Sequence, residues 1–192
     1  MLRAFSPLRP LLLSLTLLMT GGVVAVSVAE PAWAQRAWRT HKDSKYGYRV
    51  EFPGVPSQSQ NTSPSGAVID VVSLEAGTTG AFTVVAISGV TAEPAEALDR
   101  GTVSFTQAGK LLSKADLTVD GAAARDLTVS MPDSGMVIRV RLVVQGGNLF
   151  QVLATSVADT PLEGTDRFID SFRLTPPPAA TAPGTMAPVA ND

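Results

Sequence analysis

The side chains that could act on a substrate are few. There is one histidine, His41, and no cysteine in 192 residues. A thiol nucleophile is therefore excluded. A single imidazole, with Asp43 two residues on, is too little for a conventional zinc cage. No Ser-x-x-Lys or Gly-x-Ser-x-Gly element occurs, and a serine triad would have to rest on His41, which reads as a solvated loop histidine. There is no calcium loop and no phosphate-binding glycine loop. Asp116, Asp120, Asp126 and Asp133 fall on strand or turn positions, where carboxylates ordinarily form turns and cross-strand pairs.

One cluster of charge stands out. Arg139 and Arg141 lie two residues apart on a predicted strand, with Arg125 and Asp126 on the strand before it and Lys114 on the one before that. A guanidinium presents a planar fork of donors suited to carboxylates. The plainest role for the cluster is ion pairing on an exposed sheet face, worth about 0.2–1 kcal/mol per pair. Its functional role would be docking of an acidic partner or an anionic ligand. No metal, cofactor or catalytic residue is expected.

The elements that must position these residues follow from periodicity. From Leu111 to Ser156 the chain alternates apolar and polar residues, interrupted at Asp120-Gly121, Pro132 to Gly135 and Gly146-Gly147-Asn148, which predicts four consecutive antiparallel strands. Upstream, Tyr46 to Phe52 places Tyr46, Tyr48, Val50 and Phe52 on one face, and Ala67 to Glu75 forms a second strand. Ala81 to Ser88 is apolar on both faces, so it is expected to be central and covered on both sides. Glu93 to Ala108 changes to a helical period between Pro94 and Gly109. Thr160-Pro161-Leu162-Glu163 has the form of a capping box, predicting a second helix that runs to Phe172. Residues 35 to 45 and Gln58 to Gly66 read as polar loops.

Turn chemistry sets an expected register. Apolar residues fall on odd positions on both sides of Asp120-Gly121, so a three-residue loop pairing 118 with 122 would match the faces. That register places Lys114 opposite Asp126, Asp126 opposite Arg141 and Thr128 opposite Arg139, as one polar stripe. At Gly146-Gly147 two registers stay open, because Leu149 and Leu153 offer one apolar face and Phe150, Val152 and Ala154 another.

Residues 1 to 34 carry Arg3, Arg9, a leucine run and Ala32-Trp33-Ala34, the pattern of a cleaved secretory signal. Export to the periplasm or the extracellular space is expected, with retention of the segment as an anchor as the alternative. Removing Arg3, Arg9 and Glu30 from 15 basic and 17 acidic residues leaves 13 and 16, a net charge of about -3 that does not favour nucleic acid. Without cysteine the exported domain must hold by packing alone, and a lipid anchor on an N-terminal cysteine is excluded. Residues 175 to 192, rich in Pro, Ala and Thr, read as a disordered tail behind a single domain at 46 to 174.

YGYRVEFPGVPSQ near the start, VDGAAARDL at the hairpin, RVRLVV followed by NLFQVLATS, and RFIDSFRL at the end resemble the PsbP-like family over about residues 44 to 174. That family also includes exported domains of the DcrB and LpqN/LpqT type. The resemblance implies an α+β fold, an antiparallel sheet of about six to seven strands flanked by helices, usually without catalysis. The expected function is that of a non-catalytic exported accessory or assembly module that binds another protein. The alternative is a small-ligand or metal-ion binder, and a hydrolase comes third.

Overall fold

The computed structural model describes residues 37–64 and 66–175. The expected signal segment and the proline-rich tail lie outside the described residues. Among the described residues ten strands and two α-helices follow one another, and the strands form two sheets. The larger is a seven-stranded antiparallel sheet in the order β3-β4-β5-β9-β8-β7-β6. Its members are β3 (Ser57–Thr62), β4 (Val68–Glu75), β5 (Gly80–Ser88), β6 (Lys110–Val119), β7 (Ala122–Met131), β8 (Met136–Gln145) and β9 (Asn148–Val157). The smaller has β2 (Tyr48–Phe52) between β1 (Arg39–Asp43) and the short β10 (Arg173–Leu174). The fold is α+β, as expected.

The chain builds the large sheet inward from both edges. It enters at edge strand β3 and reaches the interior at β5. Helix α1 (Pro94–Ala108) then carries it to the far edge, and the meander β6 to β9 returns until β9 pairs with β5. Alternating side chains give each strand two faces. On one face α1 packs over β6, β7 and β8, around Leu98, Leu127, Val129, Val140 and Leu142. The other face meets β2 and helix α2 (Thr165–Ser171) around Phe52, Phe82, Val84, Phe150, Phe168 and Phe172. Strand β9 resolves its two apolar faces by using both. Leu149 joins the α1 core, Phe150, Val152 and Ala154 join the α2 core, and a two-residue Gly146-Gly147 turn pairs Gln145 with Asn148.

Several expectations are corrected. Residues 39 to 43 form a strand because β2 has a free edge for them, and His41 pairs with Val50. His41 is not a solvated loop residue. Its ring centroid lies 6.0 Å from that of Tyr48 and 6.2 Å from that of Phe52, with Nε2 buried and unpartnered. Residues 57 to 62 also form a strand, wholly exposed and polar, whose backbone completes the sheet beyond β4. Strand β5 is central but only partly covered on its second side, where Val85 and Ile87 are half-buried, because α1 lies chiefly over β6 to β8 and meets β5 only near Ile87. Helix α2 starts at Thr165, not at the Thr160 capping box. Gly164 precedes it at φ 81°, and a Cβ there would come within 2.6 Å of the Trp38 ring, so the chain turns into the helix at the one residue that fits.

The β6–β7 hairpin is the most instructive correction. Asp120 and Gly121 form a two-residue turn with φ 49° and 84°, so Val119 pairs with Ala122 and Lys114 faces Leu127 rather than Asp126. Ala122, Ala123 and Ala124 are small enough to sit on either face, which removes the penalty that argued for a longer loop. A bulge at Leu112 then returns Leu111 to a position opposite Val129. Gly121→Val is expected to cost about 1–2 kcal/mol from positive φ alone, since a Cβ at this position would meet no atom within 4 Å. Urea unfolding measures it, and Gly121→Asn, tolerant of that φ, should cost distinctly less.

Candidate functional site

The expected basic cluster is divided by the sheet. Arg139 and Arg141 are on the α2 face of β8, and Asp126 and Thr128 face them from β7 in the expected register. Arg125 has the opposite parity on β7 and faces α1, as does Lys114 on β6. The stripe from Lys114 through Asp126 to Arg141 therefore does not exist, because the two-residue turn rotates Lys114 to the other side.

Each buried arginine is held by several partners. Arg125 donates through Nε to Asp116 at 2.5 Å, and through Nη1 to Asp99 at 2.6 Å and the Thr102 hydroxyl at 3.1 Å, pinning α1 to the sheet. These bonds hold its guanidinium above the usual range, with Asp116 first and Asp99 second, and they hold the Asp116 carboxyl below its own. Arg141 grips Asp126 with two bonds of 2.7 and 2.8 Å. It also reaches the Ile169 carbonyl and Asp170, both at 3.1 Å. Its side chain is 9% exposed, which corrects the expectation of an exposed pair. Arg139 is half-exposed and pairs with Asp166 on α2. Together Arg139 and Arg141 fasten α2 to β8.

A second constellation escaped the sequence reading. Asp70 sits on the core face of β4 between Val68 and Val72, 4% exposed. Its Oδ2 accepts from Lys45 Nζ at 3.0 Å, Gln60 Nε2 at 2.9 Å and the Tyr46 hydroxyl. Lys45 and Tyr46 belong to the β1–β2 turn, which Asp43 shapes by accepting both of their backbone N–H groups at 2.9 and 3.0 Å. The signal was an aspartate interrupting an apolar face, which needs buried donors wherever it lies.

Burial pushes the Asp70 carboxyl up, but the bonds from Tyr46, Gln60 and Lys45 outweigh it and leave the group below its ordinary value. Burial and the bond to Asp70 push Tyr46 up, and the Tyr46 and Asp70 contacts raise Lys45. The hydroxyl and the ammonium thus keep their protons at neutral pH. They act as fixed donors, with neither a free amine nor a phenolate to attack a substrate. A carboxyl depressed on folding contributes stability that is complete above its ordinary pKa of 3.8 and is lost as pH falls through the lower folded value. Asp70→Asn is therefore expected to destabilise at pH 7, with the difference from wild type shrinking between about pH 5 and pH 2. Urea unfolding across that range checks it, and a difference independent of pH refutes the linkage.

Beside this network a cleft of about 620 Å³ opens between the β1–β2 turn and the β8–β9 turn. Tyr46, Phe150 and Leu174 supply its apolar lining, and Gln145 and Asn148 its amides. Among the described residues, no group of three or more histidine or acidic side chains is placed to hold a metal ion. No helix among them is long and apolar enough to cross a membrane.

Of solved structures, the chain is similar to the solution structure of cyanobacterial PsbP, CyanoP, from Synechocystis sp. PCC 6803. The TM-score is 0.51 at 14% identity, over 72% of this chain and 93% of that one. The fold is PsbP-like. The expected PsbP-like architecture therefore holds, while an identity this low speaks to fold alone. A Pseudomonas aeruginosa protein of unknown function, PA94, matches with a TM-score of 0.40 at 15% identity, over 64% of this chain and 85% of that one, and carries no further weight. No family model and no curated protein matches the chain.

Proposed function

We propose that this PsbP-like chain is a non-catalytic exported module that binds another protein, as an accessory or assembly factor in the periplasm or at a membrane surface. The observation that carries the reading is how its polar groups are used. Arg125, Arg141 and Asp70 each hold structural elements together, and Tyr46 and Lys45 remain protonated donors. A surface for a partner is offered on the α1 side of β4 and β5, where Ile69, Val71 and Val85 are half-buried next to Ile87, which packs at the edge of the α1 core. Of the arginines expected to dock an acidic partner, Arg139 alone has a half-exposed side chain.

Crosslinking in living cells followed by mass spectrometry tests the reading. The expected result is a reproducible partner crosslinked through β4 and β5, and crosslinks spread evenly over the surface would count against it. N-terminal sequencing of the exported protein is expected to begin near Gln35, behind Ala32-Trp33-Ala34. Recovery of Met1 on protein held in membranes would overturn export as a cleaved species. A second reading, a small-ligand binder, is favoured by the cleft beside Tyr46.

A further inference from the structure

The outward face of the small sheet carries a row of cations. On β2, Arg49 pairs with Lys42 of β1 on one side and with Arg173 of β10 on the other, so the three side chains project from one face in a line across the strands. Tyr48 and Val50 turn into the core, and Lys42, Arg49 and Arg173 are exposed. Directly paired residues have Cβ atoms about 4.5–5.5 Å apart, where like charges repel. Elsewhere the arginines meet acids, as Arg125, Arg139, Arg141 and Arg167 do. Among the described residues no carboxylate pairs with Lys42, Arg49 or Arg173. Glu51, two residues along β2 on the same face, is already bound to Arg167 at 2.8 Å. In a chain of net charge -2 the row is a local excess of positive charge.

Two of the row, Arg49 and Arg173, line a cleft of about 190 Å³ with Thr40, Glu51 and Ser171. Pockets for drug-sized ligands begin at about 300 Å³, so this one suits a single compact group. Arg173 is held in place by its Nη1, which donates to the carbonyls of Asp170 and Phe172, both at 2.7 Å, and its Nε and Nη2 are left to face an acceptor. The Ser171 hydroxyl is engaged with the Glu51 N–H and the Phe168 carbonyl, whereas Thr40 adds a hydroxyl to the lining. We propose that Lys42, Arg49 and Arg173, with Thr40, form a binding site for a terminal phosphate group, that of the inorganic ion or of a phosphomonoester. Such a group carries about 1.5–2 negative charges at neutral pH and offers oxygens to more than one guanidinium fork. A carboxylate, with one charge, would leave most of the row unneutralised. The site faces away from the α1 side of β4 and β5, so its failure leaves the partner-binding reading untouched.

The test titrates the exported chain with sodium phosphate, followed by NMR and by thermal unfolding, with sodium chloride at matched ionic strength as the control. Phosphate should give saturable shifts at the amides of Thr40, Arg49 and Arg173 and should raise Tm, as a ligand of the folded state does. Lys42→Gln combined with Arg49→Gln should weaken binding at least about tenfold, the loss of one charge-assisted hydrogen bond. Both side chains are exposed, and without phosphate this variant should be no less stable than wild type, because the repulsion is relieved. Arg49→Lys keeps the charge without the fork and should bind between the two. Equal responses to phosphate and chloride would overturn the proposal, as would a double variant that binds like wild type. Co-sedimentation with phosphatidylglycerol vesicles that free phosphate does not displace would also overturn it, because the row would then be a membrane-contact face.

Discussion

Phe172→Ala is expected to lower unfolding free energy by about 3–5 kcal/mol, the range for truncating a fully buried phenylalanine. The ring has no exposed surface. It stacks on Tyr48 at 5.5 Å between centroids and meets Phe150 at 5.6 Å. These three rings come from β2, from β9 and from the residue that follows α2, so they join the small sheet, the large sheet and the second helix in one contact. Truncation leaves a cavity shared among three elements, none of which can collapse into it without moving the others. Against a typical domain stability of about 5–15 kcal/mol the loss is severe. Leu112→Ala, at a residue 55% exposed in the β6 bulge, is expected to change stability by no more than about 0.5 kcal/mol. Urea unfolding of both variants checks the contrast, and a Phe172→Ala cost below about 1 kcal/mol would show that the aromatic junction does not carry the α2 core.

What could be read in advance divides along physical lines. The meander was legible because ten-residue strands alternate strongly and their turns carry glycine. The pairings of Met131 with Met136 and Asp126 with Arg141 followed from that alternation. Strands β1 and β3 were not legible. RTHKD and SQSQNT have no apolar alternation, and they are strands because β2 and β4 offer them unpaired backbone, which is a tertiary cause. The same limit split the basic cluster. Placing Lys114 required the loop length at Asp120-Gly121, and three alanines left side-chain size silent on that choice, whereas the opposite face of Arg125 follows from its place beside Asp126 on β7. Asp70 could have been found, since an acid on the core face of a strand demands donors. Only the fold shows that they come from the β1–β2 turn and from β3, up to 25 residues away in sequence.

Arg141 offers the sharpest separation between a structural charge and a surface one. Arg141→Ala is expected to cost about 3 kcal/mol, at the low end of the range for breaking a buried ion pair. The lower end applies because Asp126 and Asp170, at 35% and 68% side-chain exposure, can still reach water once the guanidinium is gone. Arg139→Ala, two residues along the same strand, removes a pair whose partners are 43% and 79% exposed, and should cost less than about 1 kcal/mol. Arg141→Lys keeps the charge but not the fork that holds both oxygens of Asp126, so it should fall between the two. The cost of Arg141→Ala has two sources, the unpaired Asp126 carboxylate with the packing lost beside it, and the loss of the bonds that anchor α2. Combining Arg141→Met with Asp126→Leu separates them, because it removes the pair as a unit and restores apolar volume. If the unpaired charge and the lost packing dominate, the double variant recovers most of the loss seen in Arg141→Ala. A double variant no more stable than Arg141→Ala would instead assign the cost to the anchoring of α2 through the Ile169 carbonyl and Asp170, which neither replacement restores.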